Sequence, residues 1–150
     1  LDDKAYESLR KSFESLVGDP ASTRYDSSVE ILGRKIPVKA RCVDVAWFDF
    51  NALCDGPRSQ NDYIELGKQF HAILVSNVPV MGSKNDDVAR RFINLIDEFY
   101  DRGVKVIMSA DAPIHEIYGS GRLEFEFQRT TSRMLEMQSH EYLASEHKVD

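Results

Sequence analysis

A chain of 150 residues, 42% apolar and 29% charged, has material for one domain with a real core and too little for two comfortable ones. Its formal net charge of −6 argues against a surface built mainly to hold nucleic-acid phosphates, while leaving room for a local basic patch. No apolar run approaches the ~18 residues that cross a bilayer. The polar start Leu1-Asp2-Asp3-Lys4 shows neither a signal-peptide pattern nor an initiator Met, which suits an internal or processed chain of the cytoplasm.

Residues 2–17 read as an amphipathic helix, with Tyr6, Leu9, Phe13 and Leu16 at helical spacing and a stop at Gly18-Asp19-Pro20. The polar stretch from Ala21 to Ser28 reads as a loop. Over 29–50 the period changes to two. Val29 and Ile31, then Ile36, Val38 and Ala40, alternate around Gly33-Arg34, as a β-hairpin does, and Val43, Val45 and Trp47 continue as a third strand. Pro37 lacks a backbone donor, so its strand is expected at an edge or with its nitrogen turned from a partner.

From 51 to 112 the pattern is α/β. Asn51 to Pro57 is a short helical turn, and Asn61 is expected to cap a helix whose Tyr63, Leu66 and Phe70 face inward. Ala72 to Val75 is a short buried strand, followed by a Ser76-Asn77 turn. Ser83 and Asp86 have capping-box spacing. The helix they open carries the stripe Val88, Phe92, Leu95, Ile96 and Phe99 and ends at Gly103. Asp86–Arg90, Asp87–Arg91 and Glu98–Arg102 lie four apart as exposed ion pairs. Val104 to Met108 is the next buried strand, and strand–helix–strand implies a parallel crossover. After the Ala112-Pro113 break, Leu123, Phe125 and Phe127 read as extended or as a helix entry. Thr130 to about Leu143 reads as a helix, with a frayed charged tail after Ala144.

Ile96-Asp97-Glu98 has the look of an apolar run closing on magnesium-binding acids. That chemistry needs the acids at the carboxyl end of a strand, and here they fall within a helix, so a structural role is expected. Cys42 and Cys54 are expected to be free, buried thiols of a reducing compartment. His71, His115, His140 and His147 are scattered without ligand spacing, so no metal site is expected. Ser109 and Asp111 close a strand at the edge where ligands of open parallel sheets collect, or they simply cap the connection. Arg129 and Arg133 share a helix face. Two cations so placed need an anion between them: a phosphate, or Glu126 and Glu136 at three-residue spacing.

One ordered set of segments carries a resemblance. It comprises Val80-Met81, Ala89-Arg90-Arg91-Phe92-Ile93-Asn94-Leu95-Ile96-Asp97-Glu98-Phe99-Tyr100, Val104 to Ala110, and Phe125-Glu126-Phe127-Gln128-Arg129-Thr130-Thr131-Ser132-Arg133-Met134-Leu135-Glu136-Met137-Gln138-Ser139. It resembles the C-terminal half of the AAA-type ATPases of bacterial division, the ZapE type, and their mitochondrial relatives. Phe48-Asp49-Phe50, Leu53-Cys54 and Asp62-Tyr63 fit the same pattern. The resemblance implies an α/β fold over 1–150: the distal part of a P-loop NTPase parallel sheet, a β-hairpin insertion (29–50) after a leading helix and loop (1–28), the core portion (51–112) and a C-terminal helical lid (113–150).

It further implies that the intact protein hydrolyses ATP with Mg2+, forms a homo-oligomer and remodels a tubulin-like division protein. Arg129-Thr130-Thr131-Ser132-Arg133 matches the family's Arg-Thr-x-Ser-Arg signature, which implies phosphate contacts from Arg129 and Arg133 in the lid. Arg102 would be an arginine finger acting in trans, or simply the partner of Glu98, and Ser109 a further nucleotide contact. The chain has no Gly-x-x-x-x-Gly-Lys-Ser/Thr loop, so by itself it is expected to bind no cofactor and hydrolyse nothing, its partner being an upstream ATPase half. The competing reading is a non-enzymatic adaptor or oligomerisation module whose arginines sit in salt bridges.

Overall fold

The computed structural model describes residues 3–139, 143 and 148; His140, His147 and most of the tail after Ala144 lie outside the described residues. It is a mixed α/β structure on one five-stranded sheet of order β1-β2-β3-β4-β5. β1 (Arg24–Ile31) and β2 (Arg34–Arg41) form the hairpin, with Gly33 at φ 79° in its turn. The polar stretch read as a loop is thus half strand. Its strand positions from Arg24 to Ser28 include no buried residue, so no apolar period marks them, yet cross-strand pairing with β2 reaches back to Arg24. β2 pairs antiparallel with β3 (Val45–Asp49) only through Ala40 and Arg41. Pro37 therefore lies where β2 has β1 alone as neighbour, which is how it is tolerated in an interior strand.

β3, β4 (Ala72–Val78) and β5 (Lys105–Ala110) are parallel neighbours, so the expected crossover is present. Both faces of β3 and β4 are covered, which is why Val45 to Phe48 and Ala72 to Val75 read as unbroken apolar runs. One face is closed by α1 (Asp3–Leu16), whose Leu9 and Phe13 pack with Trp47, Leu74, Ala40 and Cys42. The opposite face carries α2 (Phe50–Cys54), α3 (Gln60–Gln69), α4 (Asp86–Arg102) and α5 (Glu124–Glu136) over the main core.

Several boundaries differ from the sequence reading. α3 starts after Ser59 rather than at Asn61, because the Ser59 amide donates to the Asp62 carboxylate (2.8 Å) and closes the first turn. Asp62 is fully buried and also holds Arg34 of the hairpin, so one carboxylate ties β2 to α3. Ser83 does not cap α4. It opens a 3-10 turn, Ser83–Asn85, where the Gly82 amide donates to Asn85 Oδ1 (2.8 Å). Of the three exposed pairs expected on α4, only Glu98–Arg102 forms (3.3 Å). Asp86 is drawn to Arg122 (2.8 Å), Arg90 to Glu126 (3.6 Å), and the Arg91 guanidinium to the Cys54 carbonyl (3.2 Å). Tertiary partners outcompete weak local ones.

Gly103 does end α4, at φ 71°. α5 begins at Glu124, not Thr130. Leu123 and Phe127 are buried one helical turn apart, while Phe125 is 81% exposed, so the apparent alternation was one face of a helix. Ser76-Asn77 is not a turn either. β4 runs through it with a register shift, because the buried Trp47 indole donates to Ser76 Oγ (2.6 Å) and holds the strand in place. No described helix is long and apolar enough to cross a membrane.

Both cysteines are free and buried. Cys54 lies under α3, where burial pushes its thiol up to about 12, against a smaller pull from the Tyr63 hydroxyl. Once unfolded, the thiol ionises near 9. Between pH 9 and 12 the unfolded chain therefore binds fewer protons, and stability falls as pH rises, by up to about 1.4 kcal/mol per unit. Urea midpoints measured across that window should flatten in Cys54→Ala; an unchanged slope would contradict the buried thiol.

Candidate functional site

α4 and α5 bring the two candidate arginines, Arg129 and Arg133, to one carboxylate. The placement begins in the core. Phe92 of α4 stacks on Phe127 of α5 (centroids 6.0 Å apart, planes 15° apart), and Tyr118 also stacks on Phe127, at 5.0 Å. With Thr130 and Met134 also buried, α5 is fixed in rotation about its axis. Arg129 and Arg133 then project toward α4 one turn apart and meet Asp97. Arg129 Nη2 lies 3.4 Å from Asp97 Oδ2, and Arg133 Nη1 donates to Asp97 Oδ1.

The anion between the two cations is therefore neither Glu126 nor Glu136. Glu126 pairs with Arg90, and Glu136 accepts a hydrogen bond from the Tyr100 hydroxyl (2.8 Å). That bond, followed by desolvation, raises the Tyr100 phenol above its ordinary value. Arg133 also lies over the Tyr100 ring, 5.1 Å from its centroid. The two arginines differ in freedom: the Arg133 side chain is 25% exposed and the Arg129 side chain 60%. Asp97 and Glu98 sit within α4, as expected, and face different neighbours.

Glu98 and Arg102 face α3 instead. The Gln60 amide donates to Glu98 (3.3 Å), and the Arg102 stem fills the space over Gly67, where a Cβ would come within 2.8 Å of Arg102 Cδ. The Arg102 side chain is 16% exposed. It closes α4 and so stands at the amino edge of the parallel strands.

Ser109 stands at the opposite, carboxyl edge, apart from the arginines. Its Oγ accepts the Asn77 amide (3.0 Å), and the Asn77 side chain donates to Asp49 Oδ1 (2.8 Å). Asn77 holds φ 65°, a left-handed conformation Asn tolerates better than most residues. Asp49 also accepts from the Asn51 amide (3.2 Å), capping α2. Three strand ends are thus joined by one polar chain, Asp49–Asn77–Ser109.

Two parts of this arrangement escaped the sequence reading. Val45 to Asp49 is itself an apolar run closing on an acid at a strand's carboxyl end, the pattern weighed at Ile96 to Glu98, and the unbroken run with a short helix following could have marked it. Asp97 as the bridge could have been found by asking which acid of α4 shares a side with α5. No group of three or more His, Cys, Asp and Glu side chains suited to a metal ion occurs among the described residues. His71 lies 3.3 Å from Asp44.

The sequence profile of the AFG1-like ATPase family matches residues 1–146. The chain is 54% identical over 98 residues to the protein named cell division protein ZapE of Escherichia coli K12, covering 65% of this chain and 26% of that protein. It is 41% identical over 100 residues to the uncharacterized protein C115.02c of Schizosaccharomyces pombe, covering 67% and 21%. With lactation elevated protein 1 homolog B of Danio rerio it shares 31% identity over 149 residues, covering 78% and 30%. The chain thus spans between a fifth and a third of the length of these relatives. No solved structure matches it. On the breadth of the family match, which takes in the whole sheet and helices α1 to α5, this chain belongs to the AFG1-like ATPase family.

Proposed function

We propose that this chain supplies the arginine electrostatics of a Mg2+-dependent ATPase whose phosphate loop and magnesium-binding acids lie elsewhere on the full-length protein. One observation carries the reading: Arg129 and Arg133 converge on a single oxyanion, Asp97. Guanidinium forks match phosphate oxygens as well as carboxylate oxygens, so a nucleotide phosphate can take the place Asp97 holds. The donor set fits a phosphoryl group. It does not fit a magnesium ion among the described residues, and no step here is routed through the metal. When bound, ATP supplies the phosphoryl group. Arg133 steadies its developing charge and Arg129 adds a second contact, while Ser109, apart from them at the carboxyl edge of the sheet, would touch a different part of the nucleotide.

In this reading the sheet is the distal part of a P-loop NTPase core, the β1–β2 hairpin an insertion, and the region from 113 onward a lid. The intact protein works in the cytoplasm as a homo-oligomer and remodels a tubulin-like division filament, a role that the family resemblance implies; the name of the Escherichia coli relative supports a part in cell division. Arg102 acts in trans, which requires it to leave Glu98 and swing from its seat over Gly67. The isolated chain should show no ATP turnover, and the full-length protein should. Arg102→Ala subunits should be inactive alone yet regain partial turnover when mixed with subunits whose phosphate-loop lysine is replaced. Absence of that rescue would remove the trans role.

A second reading, an adaptor or oligomerisation module, is favoured by Phe125, an aromatic ring 81% exposed beside Arg129. It predicts that Phe125→Ala abolishes assembly while leaving nucleotide turnover of the full-length protein unaltered.

A further inference from the structure

We infer a second anion site, far in sequence from the α4–α5 arginines, at the mouth of the hairpin. Arg24 and Arg41 are directly opposed partners where β1 and β2 meet, so their side chains project to the same sheet face. Like charges in that position repel unless an anion lies between them. No acidic residue lines the hollow they share, which measures about 460 Å3 and is completed by Ser22, Ser27, Ser28, Cys42 and Val43. That volume falls within the range of small-ligand sites, about 300–1,000 Å3. The nearest capping carboxylate, Asp19, is engaged by the Ala21 amide (3.1 Å) and the Ser22 hydroxyl (3.2 Å).

Arg41 is already oriented. It donates to the Ser28 carbonyl (3.3 Å) and lies over the Phe70 ring, 5.8 Å from the centroid. Arg24 is exposed at the strand end and can close over a ligand. Two arginines in a hollow otherwise lined by serines, Cys42 and Val43, in a chain of net charge −6, form a local basic recess whose chemistry matches a phosphate group. The ligand class is a small organophosphate or a phosphorylated headgroup.

Inorganic pyrophosphate titrated into the 15N-labelled chain at 0.15 M salt should give saturable amide shifts confined to residues 22–28 and 41–43. The same response should persist in Arg129→Ala/Arg133→Ala, which separates this site from the proposed nucleotide contacts. Arg24→Gln, at an exposed position that leaves the fold intact, should weaken binding at least tenfold. Sedimentation with phosphatidylcholine vesicles, with and without phosphatidic acid, tests the headgroup source: pelleting only with phosphatidic acid, lost in Arg24→Gln, assigns the phosphate to lipid. No saturable shift and no pelleting, or a response that Arg24→Gln leaves intact, overturns the site.

Discussion

Arg133→Ala in the full-length protein is expected to lower ATP turnover by roughly 10²–10³-fold, the loss typical of removing one preorganised charge donor. Arg133 carries this effect because it is held. Its guanidinium is fixed by Asp97 and by the Tyr100 ring, and its side chain is only 25% exposed. Once phosphate takes the place of Asp97, a guanidinium already aimed there contacts both the bound nucleotide and the developing charge, so the loss should appear in kcat together with a raised KM. Arg129→Ala should cost less, since Arg129 reaches Asp97 at 3.4 Å from a side chain 60% exposed. Steady-state kinetics of both variants, with thermal melts as the fold control, checks this ordering. Equal losses would mean the arginines act as one unit.

Phe92→Ala should be the most destabilising single truncation on this face, at about 3–5 kcal/mol. Phe92 is fully buried and lies between Phe50 of α2 (5.8 Å) and Phe127 of α5 (6.0 Å), so its loss opens a cavity that three helices border. The same cavity frees the rotation of α5 and with it the aim of Arg129 and Arg133. Denaturant unfolding should show the shift in midpoint, and any remaining folded protein should show reduced turnover. Phe125→Ala, two residues before Phe127 but 81% exposed, should fall within about 0.5 kcal/mol of wild type. A comparable loss at both positions would contradict the packing described here.

Much of this fold was legible from period alone. The α1 stripe, the hairpin around Gly33, and the crossover from β4 through α4 to β5 follow from spacing that local geometry enforces. What misled was competition between local and distant partners. Asp86, Arg90 and Glu126 each have a good partner three or four residues away, yet Arg90 and Glu126 pair across α4 and α5, and Asp86 pairs with Arg122 in the turn before α5. Such choices depend on how α5 docks, and docking is set by Phe92, Phe127 and Tyr118, whose stacking no linear pattern reports. Ser76 and Asn77 read as a turn because both are polar, yet a tryptophan indole from one neighbouring strand and a serine hydroxyl from the other keep them in the sheet. The candidate arginines were legible as a pair needing an anion. Which anion was not, because Asp97 lies 32 residues from Arg129.

Asp97 is therefore where the account is most exposed. If it holds the place of a phosphate, its charge competes with nucleotide for the same two guanidiniums. Asp97→Asn keeps the shape and an acceptor oxygen while removing that charge. Equilibrium binding of a fluorescent ATP analogue to the full-length protein is the direct measurement. Asp97→Asn should bind more tightly than wild type, and Arg133→Ala more weakly. If Asp97→Asn instead weakens binding as much as Arg133→Ala does, the carboxylate serves the arginines as a fixed support rather than a stand-in for phosphate, and the exchange proposed here does not occur.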